Sequence, residues 1–569
     1  MKTQTELDKL LKGINRKSYP AYKSLQGVYQ FDGYQLDICH VQGDPFAAPS
    51  KLSVYVKKEQ AGFPEQYYST GYKNTALCDH LTRLFGQAVK RYTLKAEGSG
   101  KSGLISISRC GQEILKRTAA VIKDGNVLIR FEAGFPAFGR TINAEGLREI
   151  LFSYLPEIVS SSLYYKNLGQ TKIKSVIELS EDQHVLRKEL KKRKLAAFVA
   201  NGAILPRESG VSQKPMKNAI PFKSPESMEV IIDLPYKGSI KGMGIPEGIT
   251  LVAGGGYHGK STLLKALEQG IYNHIAGDGR EYVASLETAV KIRAEDGRAV
   301  SHVNISPFIN NLPNGKDTTD FSTENASGST SQAANVAEAV QAGADVLLID
   351  EDTCATNFMD RDALMQEVIS GKHEPITPFI MQARKMYEEH GISIIIVAGS
   401  SGSYFYIADK IIQMDNYNAY DITGKVKELL NRRENRCQSQ EVPVPVNILF
   451  NGDKRVLKVK KADRKRGQVK IKQSGKDSFL IGKETVDIKY VEQIMDYEQT
   501  TTLSYCLKAL IEQMEIKGAD AVNETDSLLK QIQEKGLESL CPGAYLPVYL
   551  AQVRKQDILS CLNRYRGIC

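Results

Sequence analysis

A glycine-rich loop between an apolar strand and a helix constrains this chain more than any other feature of its sequence. The predicted strand Ile249–Ala253 is followed by nine residues that satisfy the pattern G-x-x-x-x-G-K-[ST], namely Gly254, Gly255, Gly256, Tyr257, His258, Gly259, Lys260, Ser261 and Thr262. Glycines let such a loop turn so tightly that its N–H groups point at phosphate oxygens, and the helix behind it adds a positive N-terminal end. We therefore expect residues 254–262 to bind nucleotide phosphates, with Lys260 on the β- and γ-phosphates and the Ser261 hydroxyl on Mg²⁺.

A second apolar strand ends in two acidic residues. Residues 346–349 read Val-Leu-Leu-Ile and are followed by Asp350 and Glu351. By itself this pattern is equally consistent with a strand that ends in a solvated acidic turn. Beside a phosphate-binding loop it predicts a hydrolytic site, in which Asp350 holds Mg²⁺ and Glu351 polarises the attacking water.

The chain is too long for one hydrophobic core, because 569 residues exceed the usual size of a single domain. Residues 1–205 mix short β-like runs with helical stretches and predict an N-terminal α/β domain. In residues 206–440, buried-strand runs alternate with helices, which indicates a mostly parallel α/β sheet. Residues 441–569 are first basic and β-like and then helical, which predicts a C-terminal α+β domain.

The sequence gives no sign of export or of a membrane span. Its first residues carry charges throughout, and the most continuous apolar run, residues 392–397, has the length of a buried strand. Nine cysteines occur without a C-x-x-C pair, which argues against a disulfide framework or a zinc knuckle. We therefore expect a cytoplasmic protein, and its net charge of +9 permits an anionic partner.

Residues 98–102 look like the end of a second phosphate-binding loop, because they read Gly-Ser-Gly-Lys-Ser. The pattern needs a glycine five residues before Gly100, and Lys95 stands there. Residues 104–108, which follow, read Leu-Ile-Ser-Ile-Ser and predict a strand where the pattern needs a helix. We interpret the segment as a β-turn, with contact to a phosphate through some other geometry as the alternative.

A serine- and glycine-containing segment lies between the two predicted sites. Residues 326–332 read Ala-Ser-Gly-Ser-Thr-Ser-Gln and lead into an alanine-rich helix. The segment resembles the signature loop of ABC ATPases, and Ser327 precedes Asp350 by 23 positions, the usual interval in that class. The residues after Asp350 resemble the D-loop, with Asp352 where proline is common and Asn357 where aspartate is. Each likeness is weak alone, but together and in this order they indicate an ABC-type nucleotide domain.

The resemblance narrows to one group, the predicted ATPases of the ABC class. The segments that carry it are GGGYHGKSTLL, KIRAEDGR, IDEDTCATNFM, EPITPF and MDNYN in the central part, with VQGDPFAAPSKL and FPAFGRTI nearer the N-terminus. It implies an ABC-type P-loop domain between N-terminal and C-terminal domains, in a soluble stand-alone ATPase of a group for which RNA association has been implicated. ABC proteins hold ATP between two nucleotide domains. The resemblance therefore implies a homodimer, in which Ser327, Gly328 and Ser329 of one chain face the γ-phosphate bound by its partner.

Two residues that ABC ATPases normally use are missing. No glutamine occurs between residues 270 and 326, where the Q-loop glutamine belongs, and no histidine occurs between residues 391 and 440, where the switch histidine belongs. We therefore expect slow hydrolysis. Ser400, with Ser401 as the alternative, occupies the switch region and is our candidate for a substitute hydrogen-bond donor in catalysis.

A basic segment follows the predicted nucleotide domain. Residues 454–476 contain eleven Lys or Arg and one acid, Asp463. Residues 455–460 and 468–472 alternate like two strands joined by a turn, and such a ribbon would carry a positive stripe that binds nucleic acid largely without sequence preference. The alternative is an edge hairpin that lysines protect from aggregation. The candidate nucleic-acid contacts, with RNA favoured, are Lys458, Lys460, Arg464, Lys465, Arg466, Lys470 and Lys472.

These features together predict a dimeric, Mg²⁺-dependent ATPase that closes on ATP and acts as a clamp on nucleic acid. A P-loop phosphotransferase that acts on a small molecule, with the acceptor site in the N-terminal domain, is the competing function. A third alternative is a clamp on nucleic acid that binds ATP and barely hydrolyses it.

Overall fold

The computed structural model describes residues 2–361, 374–434, 455–460, 464–465, 468–543, 545–546 and 549–568. The chain forms two compact units. The N-terminal unit contains Met1–Glu181 and Lys535–Gln552, and the central unit contains Asp182–Glu534 and Val553–Cys569. The three-part division at residues 205 and 440 remains a prediction. Among the described residues, no helix is both long enough and apolar enough to cross a membrane.

The N-terminal unit is built on a sheet whose strands bury every second residue. In the strand Asn126–Ala133, the buried residues are Val127, Ile129, Phe131 and Ala133. This period of two is the signature of a strand with one face on the core. The sheet is antiparallel except for its first pair, and its strands lie in the order Lys2–Thr3, Gly27–Phe31, Tyr34–His40, Ser50–Val56, Asn126–Ala133 and Ile105–Ser106, with Ala120–Lys123 also paired to Asn126–Ala133.

Helices cover the buried face of this sheet. The helix Gly71–Val89 buries Leu77, Leu81 and Phe85, which are four positions apart and therefore lie on one side of it. The Phe85 ring packs on Phe131, with ring centroids 5.5 Å apart. The other helices of the unit are Gln4–Ile14, Lys58–Ala61, Ala144–Arg148 and Leu155–Leu163, with shorter helical turns at Tyr19–Leu25, Glu65–Tyr67, Glu149–Tyr154, Tyr165–Asn167 and Leu537–Leu540. The helix Gln170–Lys192 contains the boundary between the two units.

The central unit contains the parallel sheet predicted from the sequence, which is thereby confirmed. Six strands lie in the order Val290–Ile292, Val346–Asp350, Ser393–Ala398, Ile249–Ala253, Lys410–Asp415 and Asn418–Asp421, and only the last pair is antiparallel. Every residue of Ser393–Ala398 is buried, as expected of a central strand with both faces covered. Among the described residues, the α-helices of the unit are Lys260–Gln269, Gly328–Gln341, Thr356–Met359, Phe379–His390, Tyr404–Ile407, Thr423–Glu434, Tyr497–Lys517, Ala521–Lys535 and Lys555–Asn563.

Smaller sheets complete the central unit. Four antiparallel strands lie in the order Glu229–Leu234, Gly238–Pro246, Leu195–Ala200 and Val283–Ser285. Val300–Val303 pairs with Phe321–Thr323, and three antiparallel strands follow one another at Ile471–Gln473, Ser478–Ile481 and Glu484–Asp487.

The predicted pairing of the basic segment is wrong. Val456–Leu457 pairs with Ala519–Asp520, and Gln468–Val469 pairs with Arg464–Lys465, so residues 455–460 and 468–472 do not form one hairpin. The expected alternation is present, because Arg455, Leu457 and Val459 are buried while the residues between them are exposed. Alternation fixes which face of a strand is buried, but it does not select the neighbouring strand, and a distant partner was favoured here.

Candidate nucleotide-binding site

The P-loop (residues 254–262) joins the strand Ile249–Ala253 to the helix Lys260–Gln269. Buried leucines on one face anchor that helix against the sheet, namely Leu263, Leu264 and Leu267. The first glycine of the loop is required by its surroundings. Gly254 has φ +147°, and a Cβ there would lie 2.4 Å from the carbonyl oxygen of Met414. Only glycine lets the chain leave the strand along this path.

The ammonium group of Lys260 lies against the P-loop. Its Nζ donates to the carbonyl oxygens of Gly254 and Gly255, at 2.7 and 2.8 Å. The positive charge is therefore held at the loop, on the side where the pattern places the phosphates. Ser261, in the first turn of the helix, is exposed. Tyr257 has a positive φ of +66° and a side chain that is 99% exposed, so its ring makes little contact with the rest of the chain.

A hairpin from the edge of the sheet packs beside the P-loop. The strands Lys410–Asp415 and Asn418–Asp421 are joined by Asn416 and Tyr417, which both have positive φ, as a tight two-residue hairpin turn requires. The backbone N–H of Asn416 donates to Nδ1 of His258 at 2.8 Å, and the backbone N–H of Tyr417 donates to the His258 carbonyl oxygen at 3.2 Å. The imidazole of His258 thus links the loop to this hairpin.

The strand Ser393–Ala398 brings the P-loop and the acidic pair together. It lies between the P-loop strand and the strand that ends in Asp350, and all three run parallel, so their carboxyl ends meet at one edge. Glu351 accepts hydrogen bonds from the Gly399 amide at 2.9 Å, from the Ser400 amide at 3.1 Å and from the Ser400 hydroxyl at 2.7 Å. A Cβ at Gly399 would lie 3.3 Å from Nζ of Lys260. Lys260, Glu351 and Ser400 are therefore neighbours in space.

Asp350 offers an oxygen without a partner. Its side chain is 8% exposed, and within the described part of the chain Oδ1 is buried and accepts no hydrogen bond. An unsatisfied buried carboxylate oxygen is costly, and a hard cation such as Mg²⁺ is the partner that would satisfy it. The described residues contain no cluster of three or more His, Cys, Asp or Glu that could form a complete metal cage. Mg²⁺ usually takes one or two protein ligands and completes its shell with phosphates and water.

The signature-like residues lie at the start of the helix Gly328–Gln341. Ser327 is the residue before its first turn, and its hydroxyl donates to Oγ1 of Thr330 at 3.0 Å and lies 3.4 Å from Oγ of Ser329. Gly328 is closely surrounded, because a Cβ there would lie 3.3 Å from a carboxylate oxygen of Asp296. Ser327 is exposed, so its hydroxyl and the first amides of the helix form a polar N-terminal surface.

Comparison with known families decides the class. A family profile described as a P-loop domain of ABC ATPases matches residues 169–447, and one described as the N-terminal part of ATPases of the ABC class matches residues 4–166. The chain belongs to the ATPases of the ABC class. A third profile, described as the MRB1590 C-terminal domain, matches residues 470–569.

This ABC-class ATPase is also similar to individual proteins. It is 30% identical over 259 residues to the uncharacterized protein MJ1628 of Methanocaldococcus jannaschii, a match that covers 44% of this chain and 57% of that relative's length. Among solved structures, cbiO1 of Clostridium perfringens, part of the ABC transporter complex cbiONQ, matches 37% of this chain and 94% of its own, with 18% identity and a TM-score of 0.24. MJ1267 in its ADP conformation, an ATP-binding cassette of an ABC transporter, matches 34% of this chain and 88% of its own, with 12% identity and a TM-score of 0.23.

The structure of this ABC-class ATPase adds residues that the sequence did not reveal. The side chain of Tyr404 is 1% exposed, and within the described residues its hydroxyl has no hydrogen-bond partner. Burial first, and then the nearby Glu351 and Asp360 carboxylates, raise the pKa of that hydroxyl. Asp360 accepts a hydrogen bond of 2.5 Å from Ser401, so the two serines of the switch region contact different acids. Nothing in the spacing of the sequence links these residues.

The candidate nucleic-acid residues are spread over several short strands. Lys458, Lys460, Lys470 and Lys472 are all exposed. Arg464 and Lys465 form a two-residue strand of their own, and Arg466 lies outside the described residues. Lys458 and Lys460 follow the strand Val456–Leu457, whereas Lys470 precedes the strand Ile471–Gln473 and Lys472 lies in it. Because these two strands have different partners, the lysines do not lie on the single ribbon that the sequence suggested.

Proposed function

We propose that this chain binds and hydrolyses ATP with Mg²⁺, that two copies close on the nucleotide, and that the dimer binds nucleic acid, RNA foremost, as a clamp. The observation that carries the proposal is that Lys260, Glu351 and Ser400 lie together at one edge of the parallel sheet. Beside Glu351 is Asp350, whose Oδ1 accepts no hydrogen bond from the described residues. Together these residues provide a cation for phosphates, a candidate base for water and a metal ligand.

The geometry of Glu351 supports its role as the residue that polarises the attacking water. Three donors from Gly399 and Ser400 hold its carboxylate in one orientation. A carboxylate has about four lone-pair sites, so three bonds leave room for a water proton. Ser400 occupies the place of the missing switch histidine. Because a hydroxyl has one proton, which Ser400 donates to Glu351, and also has lone pairs, Ser400 can hold Glu351 in place and accept a hydrogen bond from the attacking water.

Asp350 and the Ser261 hydroxyl are the protein groups that would hold Mg²⁺. When it is bound, the metal neutralises charge on the β- and γ-phosphate oxygens. Lys260 adds a second positive charge at the same oxygens, because its Nζ would exchange the carbonyl oxygens of Gly254 and Gly255 for phosphate oxygens. Such charge-assisted hydrogen bonds are roughly twice as strong as neutral ones.

The proposed dimer rests on the presence of one P-loop and one signature-like segment in the chain. In the ABC arrangement each nucleotide needs both, supplied by different copies. Ser327 and Ser329 would then direct their hydroxyls, and Gly328 its backbone amide with the other N-terminal amides of the helix Gly328–Gln341, toward the partner's γ-phosphate. The exposure of Ser327 supports this role, because a contact with a second chain needs an accessible helix end.

The proposed nucleic-acid contact rests on the exposed lysines and on the C-terminal profile match. Lys470 and Lys472 fall inside the MRB1590 C-terminal match at residues 470–569, and Lys458 and Lys460 precede it. A set of exposed cations neutralises phosphates and releases counterions, which makes binding strongly dependent on salt and largely independent of sequence.

The first experiment measures ATP hydrolysis and dimerisation of Glu351→Gln against Glu388→Gln, which alters an exposed acid on the helix Phe379–His390. We expect Glu351→Gln to retain ATP, to shift toward a dimer and to lose turnover, while Glu388→Gln behaves like the wild type. Normal turnover by Glu351→Gln would contradict the catalytic assignment. Phosphate transfer to a metabolite without matching free phosphate would favour a phosphotransferase.

The second experiment measures the ATPase rate with and without generic single-stranded RNA at low and moderate salt. Stimulation that falls as salt rises is expected of a nucleic-acid clamp. A rate that does not change with RNA, with no RNA retained on the protein, would leave the ATPase proposal in place. It would favour the alternative in which the lysines protect strand edges from aggregation.

A further inference from the structure

The N-terminal unit carries a surface that the proposed function does not use. Four segments meet there and are called the loop cluster below, namely residues 15–19, 42–49, 98–103 and 134–142. Backbone hydrogen bonds join them. The Lys101 amide donates to the Pro45 carbonyl at 2.8 Å, and the Ser99 amide donates to the Ala137 carbonyl at 2.7 Å. The cluster also contains a short antiparallel strand pair, Ala137–Phe138 with Thr141–Ile142, so it has a defined shape although most of its residues lie outside helices and strands.

The glycine-rich segment within the loop cluster is not a phosphate cradle. In addition to Ser99 and Lys101, the amides of Ser102 and Gly103 donate to carbonyls of the chain, at 3.2 and 3.0 Å. Amides that already have protein partners cannot turn to a phosphate without breaking them. Any ligand of this surface therefore meets its side chains first.

Two large aromatic side chains stand out from the loop cluster into solvent. Phe46 is 65% exposed and Phe138 is 59% exposed. Both adjoin the same glycine-rich segment: a Cβ at Gly100 would lie 3.0 Å from Cδ1 of Phe46, and Phe138 follows Ala137, the residue whose carbonyl binds Ser99. Exposed phenylalanines on a fixed backbone are unfavourable in water and mark an interaction site more often than scattered aliphatic residues do.

The loop cluster that carries these rings contains more basic than acidic side chains. The cluster contains four cations, Arg16, Lys17, Lys101 and Arg140, and within the described part of the chain none of them has an ion pair. Arg140 is fixed to the cluster by its carbonyl, which accepts a hydrogen bond from the Tyr19 amide at 2.9 Å. The acid inside the cluster is Asp44. Its carboxylate accepts hydrogen bonds from the backbone amides of Phe46 and Ala47 in its own loop, at 2.8 and 3.1 Å.

We propose that the loop cluster binds a single-stranded polynucleotide, with bases stacked on Phe46 and Phe138 and phosphates on Lys101 and Arg140. Aromatic platforms within a positively charged surface are the combination that proteins use to hold single strands without sequence preference. This contact is separate from the ATPase chemistry of the central unit and from the lysines at 458–472. It needs neither ATP nor the clamp to form.

The charge of the loop cluster selects this occupant over a second copy of the chain. Two copies meeting through this surface would bring four unpaired cations against four others, and like charges across an interface are strongly unfavourable. An apolar protein segment would satisfy the phenylalanines but would leave the cations without partners. A polynucleotide satisfies both, because each nucleotide offers a π-face and an anionic phosphate.

The test measures binding of a fluorescein-labelled oligouridylate of about 20 nucleotides to the full chain, without ATP, at about 50 and about 200 mM salt. Four variants are compared with the wild type: Phe46→Leu/Phe138→Leu, Phe46→Tyr/Phe138→Tyr, Lys101→Ala/Arg140→Ala and, as a control at an exposed apolar residue of the central unit, Val211→Ser. We expect the leucine pair to weaken binding about 100-fold or more, since it removes two stacked bases and each contributes about a factor of ten or more. The tyrosine pair should retain binding, and the Lys101/Arg140 pair should reduce the salt slope by about 2.

The outcomes separate this proposal from the clamp. If the leucine pair weakens RNA binding while ATP turnover is unchanged, the loop cluster is a nucleic-acid site in its own right. Binding by the leucine pair at wild-type strength would overturn the proposal, and loss of binding on substitution of Lys458, Lys460, Lys470 and Lys472 would then leave the clamp standing. A change of oligomeric state in the leucine pair without any change in RNA binding would also overturn it and assign the surface to a protein contact.

Discussion

Two loops of this chain contain the same three residues, Gly-Lys-Ser, and use them in opposite ways. In the central unit Gly259, Lys260 and Ser261 begin a helix of 10 residues, and the lysine ammonium lies at the carbonyls of its own loop. In the N-terminal unit Gly100, Lys101 and Ser102 sit in a turn before the short strand Ile105–Ser106, and their backbone is bonded to neighbouring loops.

The difference lies in what surrounds the three residues. Ser261 is exposed at a helix N-terminus, whereas Ser102 is buried: its hydroxyl donates to the Ser99 carbonyl at 2.6 Å and accepts from the Ala137 amide at 3.1 Å. One serine is available to a ligand and the other holds loops together. A glycine-rich motif therefore identifies a phosphate site only when a strand precedes it and a helix follows it.

The largest contrast is expected between the two lysines. Lys260→Ala removes the cation that we propose to bind the phosphates, and hydrogen bonds to charged groups contribute about 1.5–3 kcal/mol each. With two phosphates contacted, ATP affinity should fall by at least about 100-fold. Lys101→Ala should leave ATP affinity and turnover unchanged. Fluorescent-nucleotide titration of both variants measures the difference, and equal losses would mean that the two loops share one function.

Substitution of Ser261 and of Ser102 should affect different properties of the protein. Ser261→Ala should leave the free energy of unfolding within about 0.5 kcal/mol of the wild type, because the side chain is exposed, and should lower Mg²⁺-dependent turnover about tenfold or more. Ser102→Ala removes two buried hydrogen bonds and should destabilise the N-terminal unit by about 2 kcal/mol with turnover intact below the melting range. Urea unfolding and phosphate release separate the effects. The contrast fails if Ser102→Ala proves the more damaging to turnover in folded protein.

Local patterns made the nucleotide domain predictable from sequence. The P-loop, the acidic pair after residues 346–349 and the alternation of buried strands with helices are each carried by contiguous residues. Neighbouring residues determine turn, helix start and strand, so these predictions need no knowledge of distant contacts. The choice of Ser400 needed only its place after a third strand.

Spatial order could not be predicted in the same way. That Ser393–Ala398 lies between the other two site strands is a property of the sheet, and it alone explains why Ser400 contacts Glu351. The wrong pairing of Val456–Leu457 arose for the same reason, because its partner Ala519–Asp520 is more than 60 positions away. The loop cluster likewise joins segments that are far apart in the sequence.

The two switch-region serines provide a smaller contrast within the site itself. Ser400→Ala removes one of three donors to Glu351 and should lower turnover about tenfold, which corresponds to about 1.4 kcal/mol. Ser401→Ala breaks a bond to Asp360 instead and should change turnover by less than about threefold. Steady-state phosphate release measures the turnover of both variants. An unchanged rate in the Ser400→Ala/Ser401→Ala double variant would remove the proposed substitute for the switch histidine.

The smallest expected effect contrasts a buried hydroxyl that has partners, Ser102, with one that has none within the described residues, Tyr404. Burying a polar group without a hydrogen bond costs stability, so Tyr404→Phe should stabilise the central unit by up to about 1 kcal/mol, the reverse of Ser102→Ala. Equilibrium unfolding in urea measures the sign of the change in the free energy of unfolding, with Tyr406→Phe at an exposed position as the control. Destabilisation by Tyr404→Phe would mean that a water molecule satisfies the hydroxyl beside Glu351 and Asp360. In that case a polar network, and not an isolated phenol, supports the proposed catalytic carboxylate of Glu351, and Tyr404→Phe should also slow turnover.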